Sequence, residues 1–327
     1  MKRLPFEREA VPRSVAHHTR TTPAPRPTTG RSPPPVGMRG DIVQQPVIVG
    51  VDGSSNSLLA VGWAADEAHR RGAPLLLLHG HDPGHESFSR RDTEKEHQAA
   101  EQALHSALSW VQDHFGDVEA GAELVDSPEA ELLAERGREA QMIVLGSRRP
   151  GPVTGFLLGS VGLRVLSRAV CPVVMIRGGD VDRHPRKGEI VAGVPAEEKE
   201  AAAVLDFAFR TAAAHGVPLR AARAWGLPAM FTQRSGATSL SGRAGEIEGH
   251  NRSELLDLLK PWRRRYPDIA VNEHVERGFA AEMLMTLAAG AELLVVGRSG
   301  RGGGYVGHVV HSTMHFANAP VAVVPAE

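Results

Sequence analysis

Cysteine is almost absent. Cys171 is the only one in 327 residues, so no internal disulfide can form. That fits a reducing cytoplasm. Cys171 lies between an apolar helix and an apolar strand, and the sequence places nothing basic to depress its pKa. It reads as a buried, inert thiol. Excess charge is missing as well. Lys and Arg number 37 against 38 Asp and Glu, a formal net of −1, which argues against a nucleic-acid partner held by a broad basic surface. No apolar run reaches the ~18 residues that a membrane-spanning helix needs. The N-terminus has basic residues but lacks the apolar segment of an export signal. No Gly-x4-Gly-Lys-Ser/Thr loop occurs, and no nucleophile–base constellation can be read. The expectation is a binding protein rather than an enzyme.

What the chain does have, it has twice. Residues 142–176 read MIVLGSRRPGPVTGFLLGSVGLRVLSRAVCPVVMI, and residues 292–324 read ELLVVGRSGRGGGYVGHVVHSTMHFANAPVAVV. Each is an apolar strand, a Gly-rich loop, a Gly that opens a helix, and a Pro-led apolar strand. Two further blocks recur in the same order: QQPVIVGVDGS is echoed by KGEIVAGVPAE, and RRGAPLLLLHG by AHGVPLRAARA. The period of about 145 residues is that of a whole domain, too long for a solenoid unit. A Gly-rich loop between strand and helix is where α/β proteins hold phosphate. Backbone N–H groups point outward there, and the helix N-terminus adds about half a positive charge.

Residues 1–43 are of different material. TTPAPRPTTGRSPPP carries almost no large aliphatics, cannot offset its ordering entropy by burial, and is expected to be disordered. Met38 lies just before the first strand and is expected as an alternative start. From Pro46 onward, strands and helices alternate. The first half, residues 44–180, predicts strands at PVIVGV, Leu75–His79, Val118–Val125, Met142–Leu145 and Val173–Ile176. Its helices run from Ser54 or Ser55 to Arg71, Arg91 to Phe115, Pro128 to Arg138 and Ser160 to Ser167. The second half, residues 187–327, repeats this, with a Gly/Ser-rich loop over 226–245 before a helix at Glu246–Arg265. Such alternation predicts an α/β fold of two tandem doubly wound domains, each with a five-stranded parallel sheet. Ligands in such sheets bind at the carboxyl ends of the strands, at the topological switch point.

These segments resemble the universal stress protein family. The features that carry the resemblance are VIVGVDGS at 47–54, VLGSR…GFLLGSV…LSRAVCPVVMIR at 144–177, and VVGRSGRGGG…GHVVHSTMHFANAPVAVV at 295–324. It covers the chain from residue 45 to the end and implies an adenine-nucleotide alpha hydrolase-like fold. It also implies a stress-linked regulator that binds an adenine nucleotide, with ATP the expected one. Members that bind nucleotide carry Gly-x-x-Gly-(nine)-Gly-Ser/Thr and an acidic residue after the first strand. Here Asp52 matches the acid, and Gly146, Gly159 and Ser160 match three loop positions, with Gly53, Ser54, Ser147 and Val161 beside them. Arg149 stands where the second Gly is usual; with Arg148 it brings positive charge towards a polyphosphate, or else it points to solvent. His79 ends a strand at the ligand edge, within reach of a base. In the second half Pro195 replaces the acid, only six residues separate Gly300 from Gly307, and His308 replaces the hydroxyl. The nucleotide site is therefore expected in the first half. The alternative is a nucleotide-free interaction module.

Several of these residues have a plainer reading. Asp52 could be a carboxylate favouring a helix dipole, and Ser160 a helix cap. His308, His311 and His315 share a helix face, and HGHDPGH at 79–85 holds three histidines. Neither is expected to hold metal, for lack of Cys and placed carboxylates. Since members of the family commonly dimerise through their last strands, Val173–Ile176 and Val321–Val324 are expected to pair the two domains within the chain. A homodimer and a regulatory protein partner remain expectations of the same kind.

Overall fold

A computed structural model describes residues 44–81, 90–147, 159–177, 188–226, 237–298 and 306–326. The N-terminal segment predicted to be disordered lies outside them. The first half runs β1 (Val47–Gly50), α1 (Ser55–Arg71), β2 (Leu75–His81), α2 (Arg90–His114), β3 (Ala120–Asp126), α3 (Glu129–Arg136), β4 (Met142–Ser147), α4 (Ser160–Arg168) and β5 (Val173–Arg177). The second runs β6 (Ile190–Gly193), α5 (Glu198–His215), β7 (Leu219–Trp225), α6 (Ala237–Arg265), β8 (Val271–Arg277), α7 (Ala280–Leu287), β9 (Leu293–Arg298), α8 (His308–Phe316) and β10 (Val321–Pro325). Short 3-10 turns, Gly137–Glu139 and Ala288–Gly290, end α3 and α7.

The two sheets are one. Ten strands lie in the order β3-β2-β1-β4-β5-β10-β9-β6-β7-β8. Every neighbouring pair is parallel except β5 and β10, which run antiparallel with Val321 opposite Met175 and Val323 opposite Val173. The expected pairing of the last strands is thus the seam of a continuous sheet. The seam removes two apolar edges that would otherwise template aggregation.

Alternation along each strand divides the core. Val47 and Val49 face the side covered by α1, α2, α5 and α6, while Ile48 faces the side covered by α3, α4, α7 and α8. Both core layers mix residues of the two halves: Val174 and Ala322 share one, Val173 and Val323 the other. Local signals explain the helix ends. The Ser54 side chain accepts from Ser57 N at 3.2 Å to start α1, and Gly72 stops it with φ 60°. Gly216, φ 66°, stops α5 in the same way.

Three expectations need correction. β2 continues past His79 to His81 because all seven of its residues pair with β3. α6 begins at Ala237, not Glu246. Its first turns hold weak helix formers such as Ser, Thr and Gly, whose individual costs of up to ~1 kcal/mol a long helix absorbs. Finally, the helix cap before α4 is Gly159, so Ser160 is the first helical residue and not the cap.

Candidate functional site

The site grows from the carboxyl ends of β1, β2 and β4. After β1 the chain turns sharply: Gly53 takes φ 74°, a conformation that only glycine adopts without strain. Ser54 N donates to Asp52 Oδ1 at 2.9 Å, which folds the acidic residue over the start of α1. Asp52 and Gly53 are both exposed. The plainer reading of Asp52, a carboxylate at a helix start, is therefore part of what it does. On the neighbouring strand, His79 Nδ1 donates to Val51 O, which fixes the ring against the end of β1. Because a carbonyl can only accept, Nδ1 carries a proton, and in the neutral ring Nε2 is left as the acceptor.

β4 reaches the same edge. At Gly146 a Cβ would lie 2.4 Å from Asn56 O and 2.7 Å from Ser57 N. The strand end therefore presses on the first turn of α1, two residues beyond the Asp52–Ser54 turn. The next residue, Ser147, is buried, and its Oγ has no hydrogen-bond partner. An orphaned hydroxyl at this edge is a donor in reserve. Arg148 and Arg149 lie outside the described residues. The chain returns at Gly159, the cap of α4, with no side-chain cap bond. Gly159 and Ser160 are exposed, so the first-turn N–H groups of α4 face outward, while Val161 packs on the core beneath. Asp52, Gly53, Ser54, His79 and Gly146 thus meet at one edge, with Ser147 next along β4. Gly159, Ser160 and Val161 stand at a helix start joined to it through the undescribed loop. A cavity of about 330 Å³ lined by Gln45, Pro46, Ile48, Leu76, Arg136 and Glu139 lies at the opposite, amino end of β1 and β2 and is not part of this site.

The second half builds the same edge from other chemistry. Pro195 follows β6, and Glu197 caps α5 without a side-chain bond. At Gly297 a Cβ would meet the Val204 side chain at 3.2 Å, not backbone. Arg223 Nη2 donates to Pro195 O at 2.8 Å, and Nη1 donates to Glu254 at 3.1 Å. Burial pushes this guanidinium's pKa down, against the pull of Glu254. Sequence reasoning passed over Arg223; the signal was a charge set among alanines in a buried strand.

Elsewhere, Cys171 is buried, and burial lifts its pKa to about 12, in keeping with an inert thiol. His311 and His315 lie with ring centroids 4.3 Å apart and planes tilted by 43°. Among the described residues no group of three or more His, Cys, Asp or Glu side chains converges as metal ligands. No helix among them is long and apolar enough to cross a membrane. His85 lies outside the described residues.

The model of the Universal stress protein family matches this chain at residues 44–177 and again at 189–325. A universal stress protein of Mycolicibacterium smegmatis is 32% identical over 289 residues, 85% of this chain and 96% of that one. A universal stress protein from Archaeoglobus fulgidus has a solved structure similar to this one, with TM-score 0.63 and 17% identity over 87% of this chain and 99% of that chain. A shorter one from the same organism, solved in complex with dAMP, has TM-score 0.33 and 23% identity over 41% of this chain and 99% of its own.

Proposed function

Because the chain belongs to the universal stress protein family, we propose that it binds an adenine nucleotide, ATP, in its first half and acts as a cytoplasmic, stress-linked regulator, not as an enzyme. One observation carries the reading. Gly146, with no room for a side chain, brings the end of β4 onto the turn of α1 that follows Asp52. The acidic turn and the start of the Gly-rich loop therefore share an edge. In this reading Asp52 accepts hydrogen bonds from the ribose or the base. Gly53 lets the chain turn out of the ligand's way, and His79 lines the base. Ser147 and Ser160 offer hydroxyls, and the uncapped start of α4 offers N–H groups to phosphate. Arg148 and Arg149 add positive charge to the loop between them. In this reading Asp52 and His79 serve the ribose and the base and not an attacking water, which favours a binder over a hydrolase.

A second reading keeps the fold as an interaction module for a regulatory protein partner. Pro195 and His308 in the second half favour it there. The two readings separate on the purified protein. Chromatography of its denatured extract is expected to release an adenine nucleotide. Extracts free of nucleotide, together with no heat on titration with ATP, would leave the interaction module.

A further inference from the structure

We propose that Arg223 closes the nucleotide site of the second half from within, so that the chain holds one adenine nucleotide and not two. The inference rests on the reading of the first half as a nucleotide site. Strand register alone aligns the two halves. His79 is the fifth residue of β2 and stands opposite Leu124; Arg223 is the fifth residue of β7 and stands opposite Val275. Val51 N donates to Leu78 O at 2.8 Å, and Val194 N donates to Ala222 O at 2.8 Å, so Val194 corresponds to Val51 and Pro195 to Asp52. His79 reaches only the carbonyl of Val51. Arg223 is longer and reaches one residue further, to the carbonyl of Pro195. Its other arm bonds Glu254 on α6. The guanidinium thus spans from the strand end to the flanking helix, across the position that the acidic turn holds in the first half.

Burial and chemistry agree with that assignment. The Arg223 side chain is 3% exposed, whereas its partner Glu254 is 48% exposed. A buried guanidinium held by one half-exposed carboxylate is an expensive way to fill a core, since its desolvation is not fully offset. It is the kind of filler expected where a ligand cleft would otherwise stand open. Pro195 completes the closure: it offers neither a carboxylate for ribose or base nor an N–H.

Titration calorimetry with ATP tests this, with circular dichroism to check folding. The wild-type chain is expected to bind one equivalent and Asp52→Ala none. Pro195→Asp with Arg223→His rebuilds the first half's pair; added to Asp52→Ala, it is expected to restore one equivalent. Should that combination fail to fold, Arg223→Ala on Asp52→Ala serves instead, with weaker binding expected to return. Two equivalents in the wild type, one surviving in Asp52→Ala, or a folded opened variant that binds nothing would each overturn the proposal. No binding in the wild type but binding in the opened variant would refute the first-half reading alone and leave the plug standing.

Discussion

Gly146 is bound by a constraint that no side chain can satisfy. A Cβ there would meet backbone atoms of Asn56 and Ser57 at 2.4–2.7 Å, and backbone cannot swing aside as a side-chain tip can. Gly146→Ala is therefore expected to part β4 from α1, at a cost of about 1–3 kcal/mol in line with overpacking elsewhere. A fall in melting temperature with loss of ATP binding would bear this out; an unchanged melt would mean that the contact relaxes freely. The sequence marked Gly146 as a loop glycine, but its reason, the carbonyl of a residue 90 positions earlier, is a tertiary fact that one sequence does not state. Arg149 is the reverse case, since its argument rests on charge alone. ATP is expected to bind more tightly than AMP, by a margin that shrinks with salt. Arg149→Gly should narrow that margin. If the substitution instead tightens ATP, the arginine obstructs the loop.

At the scale of elements, the helices that follow the two Gly-rich loops are held at their far ends by arginines from the opposite half. Arg298, at the end of β9, donates to Leu166 O and, at 2.7 Å, to Ala169 O, the last carbonyls of α4. Arg177, at the end of β5, donates to Ala317 O and, at 2.9 Å, to Thr313 O at the end of α8. A cation at a helix C-terminus meets both orphan carbonyls and the negative end of the dipole. Arg298→Ala is expected to destabilise the chain by roughly 2 kcal/mol, as for a charge-assisted bond lost with its acceptor partly buried. Arg298→Lys should recover little of it, because a point charge cannot serve two carbonyls as a planar fork does. Urea denaturation measures both, and equal stability of all three proteins would remove the clasp from the account. The strands themselves were legible, because buried parallel strands read as unbroken apolar runs. The clasp was not, because Arg177 and Arg298 look like ordinary polar residues where a strand meets a loop. The start of α6 was missed for another reason: a Ser- and Gly-rich segment has loop composition, and its propensity is overridden by the helix it continues.

For the whole molecule, the second seam between the halves is polar and buried, and it titrates. Glu67 on α1 accepts from Arg71 Nε at 2.6 Å and from His215 Nε2 of α5 at 2.6 Å. The other ring nitrogen of His215 meets Glu292 at 2.8 Å, and Arg71 also donates to Thr211 at 2.8 Å. An imidazole with a carboxylate at each nitrogen needs both protons, so His215 stands here as a cation. Burial alone would lower its pKa, as would the charge of Arg70. The hydrogen bond and charge of Glu67, with the bond to Glu292, outweigh both and raise it. Burial likewise works against ionised Glu67, yet His215 and Arg71 hold its pKa below the ordinary value. The signs then fix the pH dependence. The His215 contribution is fully present below the unfolded imidazole value of about 6.5 and is lost as pH rises through the higher folded value. The Glu67 contribution is present above the unfolded carboxyl value of about 4.3 and is lost as pH falls through the lower folded value. Stability measured by urea denaturation should therefore form a plateau around pH 5–6 and decline on its alkaline side. Glu67→Gln removes the main partner that raises His215, so the decline should still begin near the unfolded imidazole value but end at lower pH and be smaller in total. His215→Ala leaves the buried Glu67 and the partly buried Glu292 without the imidazolium that each meets, and should cost on the order of 3–5 kcal/mol at neutral pH, as when one member of a buried pair is removed. A wild-type profile that stays flat from pH 6 to 9, with His215→Ala as stable as its parent, would mean that the halves are held by the β5–β10 seam and the arginine clasp alone.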